Sequence, residues 1–170
     1  KEPDYPETED DTGISKGMKV SFKAVDNDFV LYVLHLSSER GGHEQDQQRI
    51  AQSSIARRHM LPYLQNDANV IVCGDFNDKK GQPAIHRIRG LDDIQPDLIQ
   101  TGLAEYFDED KLDTRWTYQY MGVRQQIDHI LLSYGVKDIC KRGGIKTRTI
   151  DHNNPLASDH KPLVVTLNLK

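Results

Sequence analysis

The 170-residue chain has little that would provide covalent or membrane-embedded stability. Two cysteines, Cys73 and Cys140, are too few for a disulfide framework. Cys73 lies in an apolar stretch, where a thiol behaves as a small hydrophobe. The low count fits a reducing compartment, and it equally fits secreted bacterial enzymes without disulfides, so a secreted or periplasmic location stays open. No apolar run exceeds the six residues from Phe29 to Leu34, well short of the roughly 20 that a membrane-crossing helix needs. No basic-then-apolar-then-small pattern opens the chain, so no signal segment is read there. Also missing are a Gly-x-Ser-x-Gly elbow, a Gly-x-x-x-x-Gly-Lys-Ser/Thr phosphate loop and a His-Glu-x-x-His helix. Their absence argues against serine-hydrolase, P-loop and zincin chemistry.

What remains is a globular composition, with 36% hydrophobic residues and a net charge of −4. Six of the 26 acids but only one of the 22 bases fall in residues 1–12. The rest of the chain is therefore near neutral and neither favours nor excludes a polyanionic partner. Residues 1–17 read as a flexible acidic lead-in, with residues 18–170 as one domain.

Met18–Ala24 alternates apolar and polar residues, as a half-buried strand does. Asp26-Asn27-Asp28 is a turn composition. Phe29–Leu36 is a strand covered on both faces, and the two strands form a hairpin. Glu44–Gln65 reads as a helix with Ile50, Ala51, Ile55, Leu61 and Leu64 on its apolar face and Pro62 near its end. Asn69–Gly74 is a second buried strand, and Gln82–Ile88 is a short helix with Pro83 in its first turn. Leu98–Phe107 is ambiguous. Arg115–Tyr120 and Arg124–Ser133 read as strands joined by Met121-Gly122-Val123. Gly143-Gly144 and Asn153-Asn154-Pro155 read as loops, and Lys161–Leu169 as a last strand. Hairpins together with a strand–helix–strand unit point to an α/β layered sheet with covering helices.

Polar groups at the ends of buried strands mark where chemistry can sit, because ligands of open α/β sheets bind outside the strand ends. His35 ends the most apolar strand. Asp75 and Asn77 follow the Val-Ile-Val-Cys strand. Asp128 shares a strand face with Ile130 and Leu132, so its carboxylate needs a partner. Asp159-His160 precedes the last strand. Carboxylates with an amide and two imidazoles suit a hard divalent cation better than a structural zinc site. They also suit phosphoryl hydrolysis, which needs charge neutralisation, an oriented water and donors to the non-bridging oxygens.

Four segments in order carry a resemblance. They are Val33-Leu34-His35-Leu36, Cys73-Gly74-Asp75-Phe76-Asn77-Asp78, Gln126-Ile127-Asp128-His129-Ile130-Leu131 and Ser158-Asp159-His160-Lys161-Pro162. The chain resembles the endonuclease/exonuclease/phosphatase superfamily over about residues 18–169. The resemblance implies a DNase I-like layered β-sandwich with covering helices, lacking the N-terminal part of that fold. It implies that His35 binds the scissile phosphate or assists the leaving group, and that Asp75 orients the attacking water and helps hold metal. It further implies that Asn77 hydrogen-bonds the phosphate, Asp159 belongs to the metal site, and His160 is a catalytic imidazole oriented by Asp128. Arg49 and Gln52 on the first helix are similar to bacterial nuclease-like members, and Thr117 lies in Trp116-Thr117-Tyr118, which matches a region that adjoins the site in the family. Arg49 and Thr117 are therefore candidate substrate contacts, against a plain strand reading for Thr117. The cluster Lys137, Lys141, Arg142, Lys146 and Arg148 either touches a nucleic-acid backbone or is a solvated face.

The implied cofactor is Mg²⁺, with Mn²⁺ or Ca²⁺ as substitutes, and the implied partner is a nucleic-acid substrate. The implied activity is metal-dependent phosphodiester hydrolysis, with a phosphomonoesterase, a lipid phosphodiesterase or an inactive binding module as alternatives. The family carries a metal-binding Glu and an Asn well upstream of the His-ended strand. Only 34 residues precede His35, so the chain alone is expected to bind Mg²⁺ weakly and to have little or no activity, a missing N-terminal segment completing the fold; robust Mg²⁺-dependent turnover by these 170 residues would overturn that expectation.

Overall fold

The computed structural model describes residues 16–91, 104–105, 116–151 and 157–170. Most of the acidic lead-in and most of 98–107 lie outside the described residues. Gly17–Ala24 forms β1 and Asn27–His35 forms β2, an antiparallel hairpin in register from Gly17↔Leu34 to Ala24↔Asn27. A 22-residue helix, α1 (His43–Leu64), then crosses over to β3 (Asn69–Asp75), which runs parallel to β2. Pro62 sits in the last turn of α1, which ends two residues later, as a residue that interrupts the helical ladder requires. The short helix α2 spans Pro83–Arg89, and the two-residue β4 spans Ala104–Glu105. The hairpin β5 (Tyr118–Tyr120) and β6 (Val123–Gln125) precedes β7 (Asp128–Leu132). Helix α3 (Tyr134–Ile139), β8 (Cys140–Thr149) and β9 (Leu163–Leu169) complete the described order.

The main sheet has the order β1-β2-β3-β7-β4, and β5-β6 and β8-β9 are separate pairs. Both faces of β2 and β3 are covered, as their continuous apolar sequences demand. Val30, Tyr32, Leu34, Val70 and Val72 point one way and pack with Ala56, Met60 and Leu64 of α1 and Ile85 and Ile88 of α2. Phe29, Ile71, Ile130 and Leu132 point the other way and meet Val136, Ile145, Leu163, Val165 and Leu167. The result is helices, sheet and hairpin in layers, the α/β sandwich expected from the sequence.

Three local readings are corrected. Arg124–Ser133 is not one strand: it breaks at Gln126-Ile127, where Phe76 N–H donates to Ile127 O and the Thr117 hydroxyl accepts from the Ile127 and Asp128 amides. The break turns the chain from the β5–β6 hairpin into the main sheet. Gly143-Gly144 is not a loop but lies inside β8, at a register shift between Cys140 and Ile145 where Gly143 has φ 69°. The inward stripe of α1 is also displaced. Arg49, Gln52, Ser53, Ala56, Met60 and Leu64 are buried, whereas Ile50, Ile55 and Leu61 are only half-buried.

Candidate active site

The parallel pairing of β2 with β3, and the antiparallel pairing of β3 with β7, put three polar residues in one row. His35 is the register partner of Asp75, and Asp75 that of Asp128. The row crosses the sheet where β2 and β3 end, the usual ligand edge of such sheets.

The Gly-Asp-Phe-Asn-Asp turn after β3 holds its shape through backbone needs. Gly74 has φ 137°, and a Cβ there would lie 1.9 Å from the Leu34 carbonyl oxygen, so only glycine lets β3 approach β2 this closely. Asp75 Oδ1 accepts from the Asn77 amide at 2.9 Å, a short side-chain-to-backbone loop typical of such turns. Asn77 takes a left-handed φ of 49°, which Asn tolerates, and its Nδ2 donates to Leu36 O at 2.9 Å. That leaves its second amide proton for another acceptor. Phe76 is fully buried and meets His129 edge-on, and His129 Nε2 bonds Asp78 O at 2.8 Å. His129 is thus a core residue. Asp78 Oδ2 accepts from Ala84 N and fastens the turn to α2.

Asp75 Oδ2 faces two imidazoles. His35 Nε2 lies 3.7 Å away and His160 Nε2 3.9 Å. His160 Nδ1 meets Asp128 Oδ2 at 2.9 Å, the partner that an acid in an apolar layer requires. This bond, more than anything else, pushes the His160 pKa up from 6.5, with the Asp128, Asp75 and Asp159 charges adding to it against burial. Burial pushes the Asp75 pKa up, and the Asp128 charge adds to that, while the Asn77 amide and both imidazoles pull it back. The pair pattern is a carboxylate made more basic beside an imidazole that keeps its proton to higher pH.

These groups open on a cleft of about 630 Å³ lined by His35, Asp75, Asn77, Asp159 and His160 at one end, within the usual size of a small-ligand site. Asp159 is exposed on its wall. Arg49 and Thr117 do not line it. Arg49 is buried, its Nη1 donating to Ser37 O and Ser38 O at 3.4 and 3.0 Å and its Nη2 to Asp46 at 2.5 Å. Gln52 Oε1 accepts from Ser37 N at 2.8 Å. The polar stripe of α1 therefore ties down the loop after His35. Thr117 is fully buried, and its hydroxyl accepts from the Ile127 and Asp128 amides, fixing the backbone on either side of Ile127. Lys137, Lys141, Arg142, Lys146 and Arg148 are exposed on α3 and β8 and line no part of the cleft.

The other end of the cleft is formed by Tyr118, in the segment expected near the site, and by Arg40, Tyr120, Met121 and Val123, which the sequence did not single out. Exposed apolar residues around Met121-Gly122 were the available signal.

For a cation, one ligand atom each of Asp75, Asp128 and His160 lies within 4.8 Å of the others. Asp128 Oδ2 is engaged by His160 and Asp75 Oδ1 by Asn77, which leaves Asp75 Oδ2, flanked by the two imidazoles, and Asp128 Oδ1 as the other carboxylate oxygens of the cluster. Asp159 and Glu39 stand on the same cleft. A few carboxylate oxygens open to solvent fit a hard divalent ion that keeps waters, and do not fit a closed zinc site. The expected metal pair was Asp75 and Asp159; the compact cluster instead groups Asp75 with Asp128 and His160.

No curated protein sequence matches the chain. Among solved structures, truncated TDP2 of Caenorhabditis elegans is 16% identical at TM-score 0.61, over 88% of this chain and 59% of that one. The human Nocturnin catalytic domain with bound sulfate is 20% identical at TM-score 0.54, over 91% and 52%. A beta toxin variant of Staphylococcus aureus with bound magnesium ions is 13% identical at TM-score 0.58, over 89% and 57%. The chain thus spans little more than half the length of the structures it matches. The Endonuclease/Exonuclease/phosphatase family model matches residues 3–160, and the chain belongs to that family of hydrolytic phosphoesterases.

Proposed function

We propose that the cleft hydrolyses phosphodiester bonds, with Mg²⁺ as the cation and nucleic acid as the substrate. The observation that carries this reading is the pair of imidazole Nε2 atoms, of His35 and His160, at 3.7 and 3.9 Å from one Asp75 oxygen. Asp75, with its basicity increased by burial, accepts a proton from a water as the water adds to phosphorus. The bond from phosphorus to the leaving oxygen breaks, and His160 gives that oxygen its Nε2 proton while Asp128 holds Nδ1. His35 stands on the other side of Asp75 and faces the same centre, and Asn77 offers its remaining amide proton. A divalent ion held by Asp75, with Asp159 or Glu39, would supply positive charge against the phosphate oxygens. The sulfate in Nocturnin and the magnesium ions in beta toxin support an oxyanion and a cation in a fold of this kind.

The test compares bis(p-nitrophenyl) phosphate, p-nitrophenyl phosphate and sphingomyelin with Mg²⁺, with and without chelator. Slow, chelator-sensitive turnover of the diester at millimolar Mg²⁺ is expected, in keeping with weak binding of the ion by this chain. Turnover confined to the monoester or to sphingomyelin would replace the nuclease reading with a phosphomonoesterase or a lipid phosphodiesterase. Phosphate binding without turnover would make the chain a binding module.

A further inference from the structure

The end of the cleft away from Asp75 is a shelf of planar groups. The Tyr118 ring lies 4.7 Å from the His160 ring, tilted by 43°, and the Tyr120 ring follows at 6.5 Å, parallel to Tyr118 within 4°. Arg40 joins the two. Its Nη2 donates to the Tyr118 hydroxyl at 2.8 Å, and its Cζ lies 4.0 Å from the Tyr120 ring centroid. The shelf is fixed relative to the reacting groups. Gln119 N–H donates to Asp159 O at 2.9 Å, Lys161 N–H donates to Thr117 O at 2.7 Å, and Tyr118 bridges His160.

The hairpin tip is unusual for a residue pair chosen by folding alone. Met121 and Gly122 both have positive φ, 47° and 80°. Two-residue turns of this kind favour Asn-Gly, because a side chain such as Met is strained there. Met121 is nevertheless 84% exposed and Val123 59%, both on the cleft rim. An acyl chain would want a continuous apolar groove, whereas here Glu39 and Gln125 stand among the rings. Stacked rings with a guanidinium on one face suit a flat, π-faced group.

We propose that Arg40, Tyr118 and Tyr120 form a base-stacking subsite that holds a nucleobase adjoining the phosphate bound at His35, Asn77 and His160. The subsite rests on the phosphodiesterase reading for its phosphate half only. Arg40 and Tyr120 take the base by stacking, and Met121 and Val123 give van der Waals contact to the sugar. Because stacking is read from the π-face, the subsite distinguishes a nucleotide from a bare phosphoester without selecting one base.

The experiment measures binding of adenosine 5′-monophosphate, ribose 5-phosphate and adenosine to the 170-residue chain by NMR, in chelator. Stacking worth about 1–3 kcal/mol per base corresponds to roughly 5- to 150-fold in affinity. The monophosphate is expected to bind that much more tightly than ribose 5-phosphate and to move the Tyr118 and Tyr120 ring signals. Tyr120→Ala should bring the ratio close to one, with Tyr120→Phe restoring it. Tyr120 is 42% exposed, so its truncation leaves the core intact. Equal affinity for the two phosphates, a ratio unchanged by Tyr120→Ala and Arg40→Ala, or no binding of any of the three compounds overturns the proposal. Adenosine binding as tightly as the monophosphate would instead remove the phosphate half, and with it the phosphodiesterase reading, while leaving the shelf in place.

Discussion

Replacing Asp128 by Asn removes the largest cause of the raised His160 pKa without changing the shape of the side chain. In the parent, Asp128 Oδ2 and His160 Nδ1 are 2.9 Å apart, with the side chains 19% and 29% exposed. A hydrogen bond to a charged group contributes about 1.5–3 kcal/mol when buried, and solvent screening brings this half-buried pair to about 1 kcal/mol. Asn can still donate to a neutral Nδ1, so the ring keeps a partner and loses its stabilised charge. The direction follows from linkage. A histidine whose folded pKa is raised adds stability that is complete below the unfolded value of 6.5 and is lost as pH rises through the folded value. Below pH 6.5 the variant should therefore melt roughly 2–4 °C lower than the parent, and the gap should close on the alkaline side. In an NMR titration of the imidazole, His160 of the variant should lose its proton at lower pH than in the parent. Activity should drop about 100-fold or more, because His160 then holds less of the proton it gives to the leaving oxygen. An unchanged His160 titration in Asp128→Asn would refute the reasoning at its root.

Two further substitutions test the frame of the site. Gly74→Ala forces a Cβ to within 1.9 Å of the Leu34 carbonyl at a φ that side chains rarely adopt. It should cost about 3 kcal/mol or more, seen as a fall of at least roughly 6 °C in thermal unfolding; an unaltered Tm would contradict the close β2–β3 approach. Arg49→Ala leaves the Ser37 and Ser38 carbonyls without their partner. It should cost about 1–3 kcal/mol and speed amide exchange in residues 37–42 selectively, and uniform exchange across the chain would contradict a positioning role for Arg49.

The sheet was legible because its strands announce themselves chemically. Phe29–Leu36 and Asn69–Cys73 are apolar on both faces, and Lys161–Leu169 alternates cleanly. The polar row was legible for a related reason, since His35, Asp75 and Asp128 are polar residues where apolar strands end or begin. Sequence could not show that parallel pairing would bring them into one register, which depends on how far α1 carries the chain back. Arg49 was misjudged because a basic residue on a helix signals substrate only if it faces the cleft. Here the inward stripe of α1 is polar, because Arg49 and Gln52 must satisfy the backbone of Ser37 and Ser38. The resemblance put Tyr118 near the site, but its assembly with Arg40 into a shelf was not legible, because the two lie 78 residues apart in sequence. The break at Gln126-Ile127 went unread because the Thr117 hydroxyl that makes it is a tertiary partner.

The central claim is that Asp75 and His160 act together on a phosphodiester in a metal-dependent reaction. The most direct measurement is nicking of supercoiled plasmid DNA at millimolar Mg²⁺ by the parent chain, Asp75→Ala and His160→Ala, each with and without chelator. Slow nicking by the parent alone is expected, abolished by chelator. Nicking that persists in either variant would contradict it.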